Sequence, residues 1–453
     1  MFRESRKINY IKACSQGRND MARVLDPDDF FIENGYAISV FAQGLDTPVG
    51  LAFSEDGTLY IADSGINTNN PKILRIQNGQ LDTIAEGFSA PITGINYYDG
   101  GIYISDKGYI TVLRENGTRL NILAGLPCNG DFLTSNVAFG PDGKIYFGQG
   151  TVTNSGVVGY DNPWVFTHPF LHDQPAVNIA LDGQNFRTVN MFTTGEETAY
   201  TGAFSAYGVP NSPGEVRKGI LKASGSILKM NRDGTEMELV ASGLRNPVHI
   251  QFDRNFRLLV ANRGYDVRGS RPIANSPDEF HIITPGVWYG WPDFSGGEPV
   301  TLEKFRPEGG IQPQFLLLNH PNIPPKPFAV FLSHTTITGF DINYSRSFGA
   351  YGDVFITEHG SFGPITMGQS AAYEGVGNKV SRINMTNGEV STFINNKSGI
   401  PVYTGGEGGF GRPVDIAFGP DGAMYVLDIG VSDRRYINQY IPNTGVIWKV
   451  VRL

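Results

Sequence analysis

Residues 44–65 read GLDTPVGLAFSEDGTLYIADSG, and the chain repeats that phrase five more times. It returns as GFSAPITGINYYDGGIYISDKG from Gly87, TSNVAFGPDGKIYFGQG from Thr134 and GLRNPVHIQFDRNFRLLVANRG from Gly243. Two later copies are TITGFDINYSRSFGAYGDVFITEHG from Thr336 and GRPVDIAFGPDGAMYVLDIG from Gly411. Each copy is an alternating apolar strand, a tight turn and a second strand that ends in polar or Gly residues. The turns carry Asp56-Gly57, Asp142-Gly143 and Asp421-Gly422. Asp-Gly between two alternating strands signals a hairpin, because glycine adopts positive φ without steric cost. Hairpin material repeated around a chain builds a radial array. Six copies predict an all-β fold, a six-bladed β-propeller with long loop insertions. The polar ends of the second strands should gather at one end of its central channel.

Composition narrows the function. The net charge of −8 argues against nucleic acid as a partner. With 57 Gly, 28 Pro and 40% hydrophobic residues, the chain has turns and core enough for one large domain of 453 residues. No apolar run reaches the roughly 18 residues that span a bilayer. No apolar signal-peptide core stands at the N-terminus. Cys14 and Cys128 can pair or stay free; two cysteines make no disulfide framework.

Residues 1–35 read as a polar lead-in and 36–453 as a single propeller domain. The last segment, TGVIWKVVRL, alternates like a strand and has a natural partner in YAISVFAQG from Tyr36. Pairing the two ends of the chain would close the ring and remove two sheet edges. Two insertions interrupt the repeats, at about 150–220 and 264–300, rich in Asn, Pro and aromatics. Long loops on a regular scaffold usually carry function. His168 and His172 in the first insertion have helical spacing, but Pro169 between them argues against a zinc-binding helix.

The order of short motifs resembles a known family. GLRNP (243–247), ANRGYDVRGSRP (261–272), DEF (278–280), YGWP (289–292), EHGS (358–361) and GRPVDIAFGPDG (411–422) are similar to those of the glucose/sorbosone dehydrogenases. That resemblance covers roughly residues 40–450. It implies a six-bladed propeller that oxidises a sugar with pyrroloquinoline quinone (PQQ) and calcium, outside the cytoplasm. By resemblance, Arg245 and Asn246 contact the quinone, Arg412 pairs with its carboxylates, and Lys379 and Arg382 are further candidates. Guanidinium groups suit that role because they pair bidentately with carboxylates. The resemblance also places calcium on the carbonyls of Gly264 and Tyr265, where oxygen ligands are required. Two structural alternatives stand beside these assignments. Arg245 and Arg412 would tie neighbouring blades through carbonyls and carboxylates, and RGYDVRGSRP would be a salt-bridged ordered loop.

One departure bears on catalysis. Sugar oxidation needs a base for the hydroxyl proton. Where the family has a histidine after an aspartate, this chain has Asp131 followed by Phe132, which cannot accept a proton. Among the seven histidines, His359 ends a repeat strand and is the replacement expected to face the site; His334 begins the fifth copy, and His249 lies inside a repeat strand just after GLRNP. Trp288, Tyr289 and Trp291 read either as a sugar platform or as blade packing. The leading expectation is therefore a quinone-dependent sugar dehydrogenase. A degenerate propeller that binds a carbohydrate or protein without oxidising it is the first alternative. A calcium-dependent lactonase-like hydrolase, using Asp131, Asn246, Glu358 and Asp415, is the second.

Overall fold

The structure, a computed structural model, describes residues 11–12, 23–360, 376–405, 408–433 and 439–453. Each quoted phrase forms the first two strands of a sheet, and six such sheets surround one axis. Blade 1 comprises Pro48–Phe53, Leu59–Asp63, Lys72–Gln77 and Gln80–Glu86. Blade 2 runs from Gly94–Tyr98 to Arg119–Ala124. Blade 3 begins with Thr134–Phe139 and Ile145–Gln149 and ends at Glu238–Ser242. Blade 4 begins with Asn246–Phe252 and Leu258–Arg263, blade 5 with Ile337–Ile342 and Val354–Glu358, and blade 6 with Pro413–Phe418 and Met424–Asp428. The six first strands touch in sequence and close a ring.

Tyr36–Leu45 pairs antiparallel with Gly445–Arg452 as the fourth strand of blade 6, with Ile11–Lys12 parallel outside it, so the chain ends close the propeller as expected. The lead-in also contributes: Phe30–Ile32 adds an outer strand to blade 5 against Ile394–Asn396. Phe30 reaches edge-on to Trp448 at 4.9 Å between ring centroids, which packs blade 5 against blade 6.

Burial explains the texture of the repeats. The second strands lie between two neighbouring blades and are buried on both faces, as in Leu59–Asp63 and Val354–Glu358. Outer strands such as Gln80–Glu86 face water along most of their length. In the Asp-Gly turns, Asp56, Asp142 and Asp421 each accept the backbone N–H two residues on, and the glycines take φ of +87°, +75° and +76°.

The inner strands are stitched by side chains that imitate backbone. Asn136 Oδ1 accepts from Ile250 N at 2.9 Å while its Nδ2 donates to Ile250 O at 3.0 Å. Asp415 Oδ2 accepts from Leu51 N at 2.8 Å. These residues fill the axis where Gly94 and Gly339 leave room. A Cβ on Gly339 would lie 1.9 Å from Asp415 Oδ1.

The insertions are larger than their sequence limits suggested. Residues 150–225 form one loop of blade 3. The second insertion occupies two loops of blade 4, 264–276 and 283–328. Asp173 anchors the first by accepting from the N–H groups of Val152 and Thr153. The second runs parallel to the outer strand of blade 3, with Trp288 bridged to Ser242. Among the described residues, no helix is long and apolar enough to cross a membrane.

Candidate functional site

At the end of the channel where the second strands stop, the loops enclose a cavity of about 630 Å³. Its floor is the ring of inner strands, including His249, Gly339 and Asp415; its walls are linkers and insertions. One wall is charged. Arg268 pairs with Asp131 at 2.7 Å, Asp161 at 2.6 Å and Asp266 at 3.1 Å. Arg245 pairs with Asp266 at 2.8 Å and donates to Asn154 Oδ1 at 2.7 Å, to Asn154 O at 3.1 Å and to Gly264 O. The two guanidinium groups hold the Asp266 carboxyl well below the usual range despite burial. Asp161 is pushed up to about 6, because burial outweighs the attraction of Arg268. The stretch RGYDVRGSRP is thus the salt-bridged loop of the second reading, with Arg271 also paired to Asp293.

Asp131 does not orient a histidine. Its carboxylate accepts from Trp164 Nε1 at 2.8 Å and from Asn162, in addition to Arg268. Phe132 lies on the cavity wall with the Arg245 guanidinium 4.2 Å from its ring centroid, a cation–π contact.

The opposite wall holds His359. Its Nδ1 lies 2.7 Å from Gly360 O and its Nε2 3.1 Å from the Tyr440 hydroxyl. A carbonyl only accepts, so Nδ1 carries the proton and Nε2 the lone pair. Burial, with Arg412 and Arg263 nearby, holds the ring's pKa well below its ordinary value, and it is neutral at pH 7.

Asp131, Arg245, Asn246, Gly264, Tyr265 and His359 therefore meet at one cavity. Arg412 and Lys379 are not among its lining residues. Arg412 donates to His359 O at 3.2 Å and Gly360 O at 2.7 Å, tying blade 6 to a loop of blade 5. Lys379 stands 3.6 Å from Glu358, and Arg382 pairs with Asp353. Glu358 also lies off the cavity, so the acidic ring of a lactonase-like site is not assembled. Among the described residues no group of three His, Cys, Asp or Glu could hold a metal ion. Trp288, Tyr289 and Trp291 are buried, Tyr289 between blades 3 and 4 and the two tryptophans in the core shared by the insertions, away from the cavity lining. His168 and His172 bond to different neighbours, Thr167 and Phe170. Cys128 is a partly buried thiol; Cys14 falls outside the described residues.

Sequence reading missed Arg263, Trp164 and Tyr440, all on the cavity wall. Arg263 was in plain sight inside ANRGYD. Its signal is position: it ends a second strand, as His359 nearly does. Trp164 and Tyr440 come from irregular loops, where no periodicity points inward.

Known proteins fit this architecture. No protein-family model matches the chain. Quinoprotein glucose dehydrogenase B of Acinetobacter calcoaceticus is 26% identical over 182 residues, 39% of this chain and 29% of that relative. The match thus spans less than a third of the relative's length. A putative oxidoreductase (glucose dehydrogenase) from Thermus thermophilus superposes with a TM-score of 0.54 at 18% identity, covering 92% of this chain and 100% of that one. The PQQ-bound aldose sugar dehydrogenase of Streptomyces coelicolor does so with a TM-score of 0.51 at 17% identity, over 93% and 100%. The chain has the six-bladed fold of these sugar dehydrogenases and resembles the quinoprotein in sequence.

Proposed function

We propose that the protein oxidises an aldose or related sugar with PQQ and calcium held in the axial cavity. One observation carries this reading: residues of the separate motifs GLRNP, ANRGYD and EHGS converge on a single 630 Å³ space. That volume lies within the range of small-molecule sites, and its walls mix flat apolar groups with cations. Asn246 faces it with a side-chain amide that has no hydrogen-bond partner among the described residues. For calcium, Gly264 O already accepts from Arg245, but a carbonyl oxygen has two lone pairs, so one stays available beside the Tyr265 carbonyl. Lys379 and Arg412, engaged elsewhere, contribute to the frame of the site in this proposal.

Bound quinone supplies a two-electron acceptor for the hydride of the sugar. This chain supplies the base, and His359 Nε2, whose lone pair faces the Tyr440 hydroxyl, is its candidate, since the ring is neutral with Nδ1 committed to Gly360 O. Phe132 and Tyr265 exclude water from the wall beside Arg245. An extracytoplasmic location goes with this reading.

The test is a titration of the full chain with PQQ and calcium, followed by absorbance, then addition of aldoses with a redox dye. A saturable spectral change and sugar-dependent dye reduction are expected. Absence of any spectral change would sink the proposal. Phe132 favours a second reading, in which ligand binds without turnover; it predicts the spectral change with no dye reduction.

A further inference from the structure

Among the described residues, three arginines line the cavity: Arg245, Arg263 and Arg268. Two are already engaged, Arg268 by three acids and Arg245 by Asp266, Asn154 and Gly264 O. Arg263 differs. Its Nε donates to Ile337 O of blade 5 at 2.9 Å, and that bond sets the plane of the guanidinium. Its two terminal nitrogens have no hydrogen-bond or ion-pair partner among the described residues. Asp278, an acid whose charge reaches Arg263, is spent: Oδ1 accepts from Gly264 N at 2.7 Å, and Oδ2 accepts from Ile337 N and Thr335 Oγ1, each at 2.9 Å. Asp266 is shared between Arg245 and Arg268. A desolvated cation without a counter-ion is unfavourable, and the open side of this one faces the cavity.

A second observation points the same way. Arg263 and Asn246 are direct cross-strand partners, so their side chains leave the same face of blade 4. The Asn246 amide also has no partner among the described residues. A guanidinium fork beside an amide donor matches the two oxygens of a carboxylate.

The geometry points to Arg263, assisted by Asn246, as the anchor for a carboxylate of the bound ligand. This rests on the proposed sugar-oxidising site and extends it. The carboxylate comes from one of two sources, the quinone or a sugar acid such as a uronate, and both present the same chemistry to the fork. A uronate held there lies beside His359, which feels the Arg263 charge.

The experiment uses calorimetric titration of the full chain and of Arg263→Gln and Arg263→Lys. One arm titrates PQQ with calcium; the other titrates glucuronate against glucose without quinone. Weakening of quinone binding by tenfold or more in Arg263→Gln, partly recovered in Arg263→Lys, supports the inference with the cofactor as source. A preference of the unmodified chain for glucuronate over glucose that Arg263→Gln abolishes supports it with the substrate as source. The second result stands even if quinone does not bind, in which case the proposed function alone fails. Quinone bound equally by all three proteins, with no glucuronate preference, overturns the inference and leaves the proposed function intact. Binding of neither ligand overturns both. Thermal unfolding supplies a readout without ligand: Arg263→Gln should hold or raise the Tm, since no ion pair is lost. A fall of more than a few degrees marks Arg263 as a structural tie and overturns the inference.

Discussion

At the channel floor, His249 Nδ1 lies 3.8 Å from Asp415 Oδ1, too far for a hydrogen bond, and that oxygen has no hydrogen-bond partner among the described residues. Burial pushes Asp415 up to about 8 and His249 down to about 3, so at pH 7 both are neutral and no ion pair exists. The two shifts act on stability with opposite sign. Folded Asp415 keeps a proton that the unfolded chain loses near pH 4, so its contribution falls as pH rises toward 8. Unfolded His249 keeps a proton until about pH 6.5 that the folded ring has already lost, so its contribution rises with pH up to there. Between pH 4 and 6.5 the slopes cancel, and from 6.5 to 8 the loss from Asp415 alone amounts to about 2 kcal/mol. Asp415→Asn keeps an acceptor for Leu51 N. Urea unfolding at pH 5, 6.5 and 8 should show that this variant lacks the alkaline loss and gains stability from pH 5 to 6.5. Identical profiles for variant and parent would refute the assignment.

Phe132 is the other residue on which the proposed function turns. A histidine there would sit under Arg245, whose charge keeps an imidazole neutral and able to accept a proton. With PQQ and calcium supplied, Phe132→His should raise sugar-dependent dye reduction by about 10²-fold, the lower end of what a positioned base provides. If the unmodified chain already turns over rapidly, His359 is the base, and His359→Ala should abolish the rate while Phe132→His changes little.

Among the elements, the inner strands do two jobs at once. They line the cavity and hold adjacent blades in register. Asn136 replaces a missing step of backbone ladder between blades 3 and 4. Asn136→Ala would strand one buried N–H and one buried C=O. Each costs about 1–3 kcal/mol, so a loss of about 3 kcal/mol is expected in chemical denaturation, with cofactor affinity reduced as the neighbouring Asn246 strand shifts. A change below about 0.5 kcal/mol would show that water satisfies both groups. This stitching was not legible in the sequence. Asn136, His249 and Asp415 occupy matching places in their repeats, but only the closed ring brings each to the next blade.

The molecule as a whole depends on joining its ends. Without Tyr36–Leu45, the Gly445–Arg452 strand would present an open edge, a template for pairing with other chains. Removal of residues 1–45 should convert a discrete species into aggregates or swapped oligomers on size-exclusion chromatography with light scattering. A deletion variant that elutes and unfolds like the full chain would show that the ring closes without this strand.

The hairpin phrases, the Asp-Gly turns and the terminal pairing were all readable along the chain, because each depends on local alternation and on the backbone freedom of glycine. The motif order was enough to bring Arg245, Asn246, Gly264, Tyr265 and His359 to one place. Charge state and partnership were decided elsewhere. Whether an arginine serves a ligand or a carbonyl depends on which carboxylates and backbone oxygens the other blades bring within about 3 Å. Arg412 and Lys379 found internal partners, whereas the terminal nitrogens of Arg263, one letter in a quoted motif, have none among the described residues. Electrostatics and desolvation act through space, so only the tertiary structure could show which cations are tied into the frame.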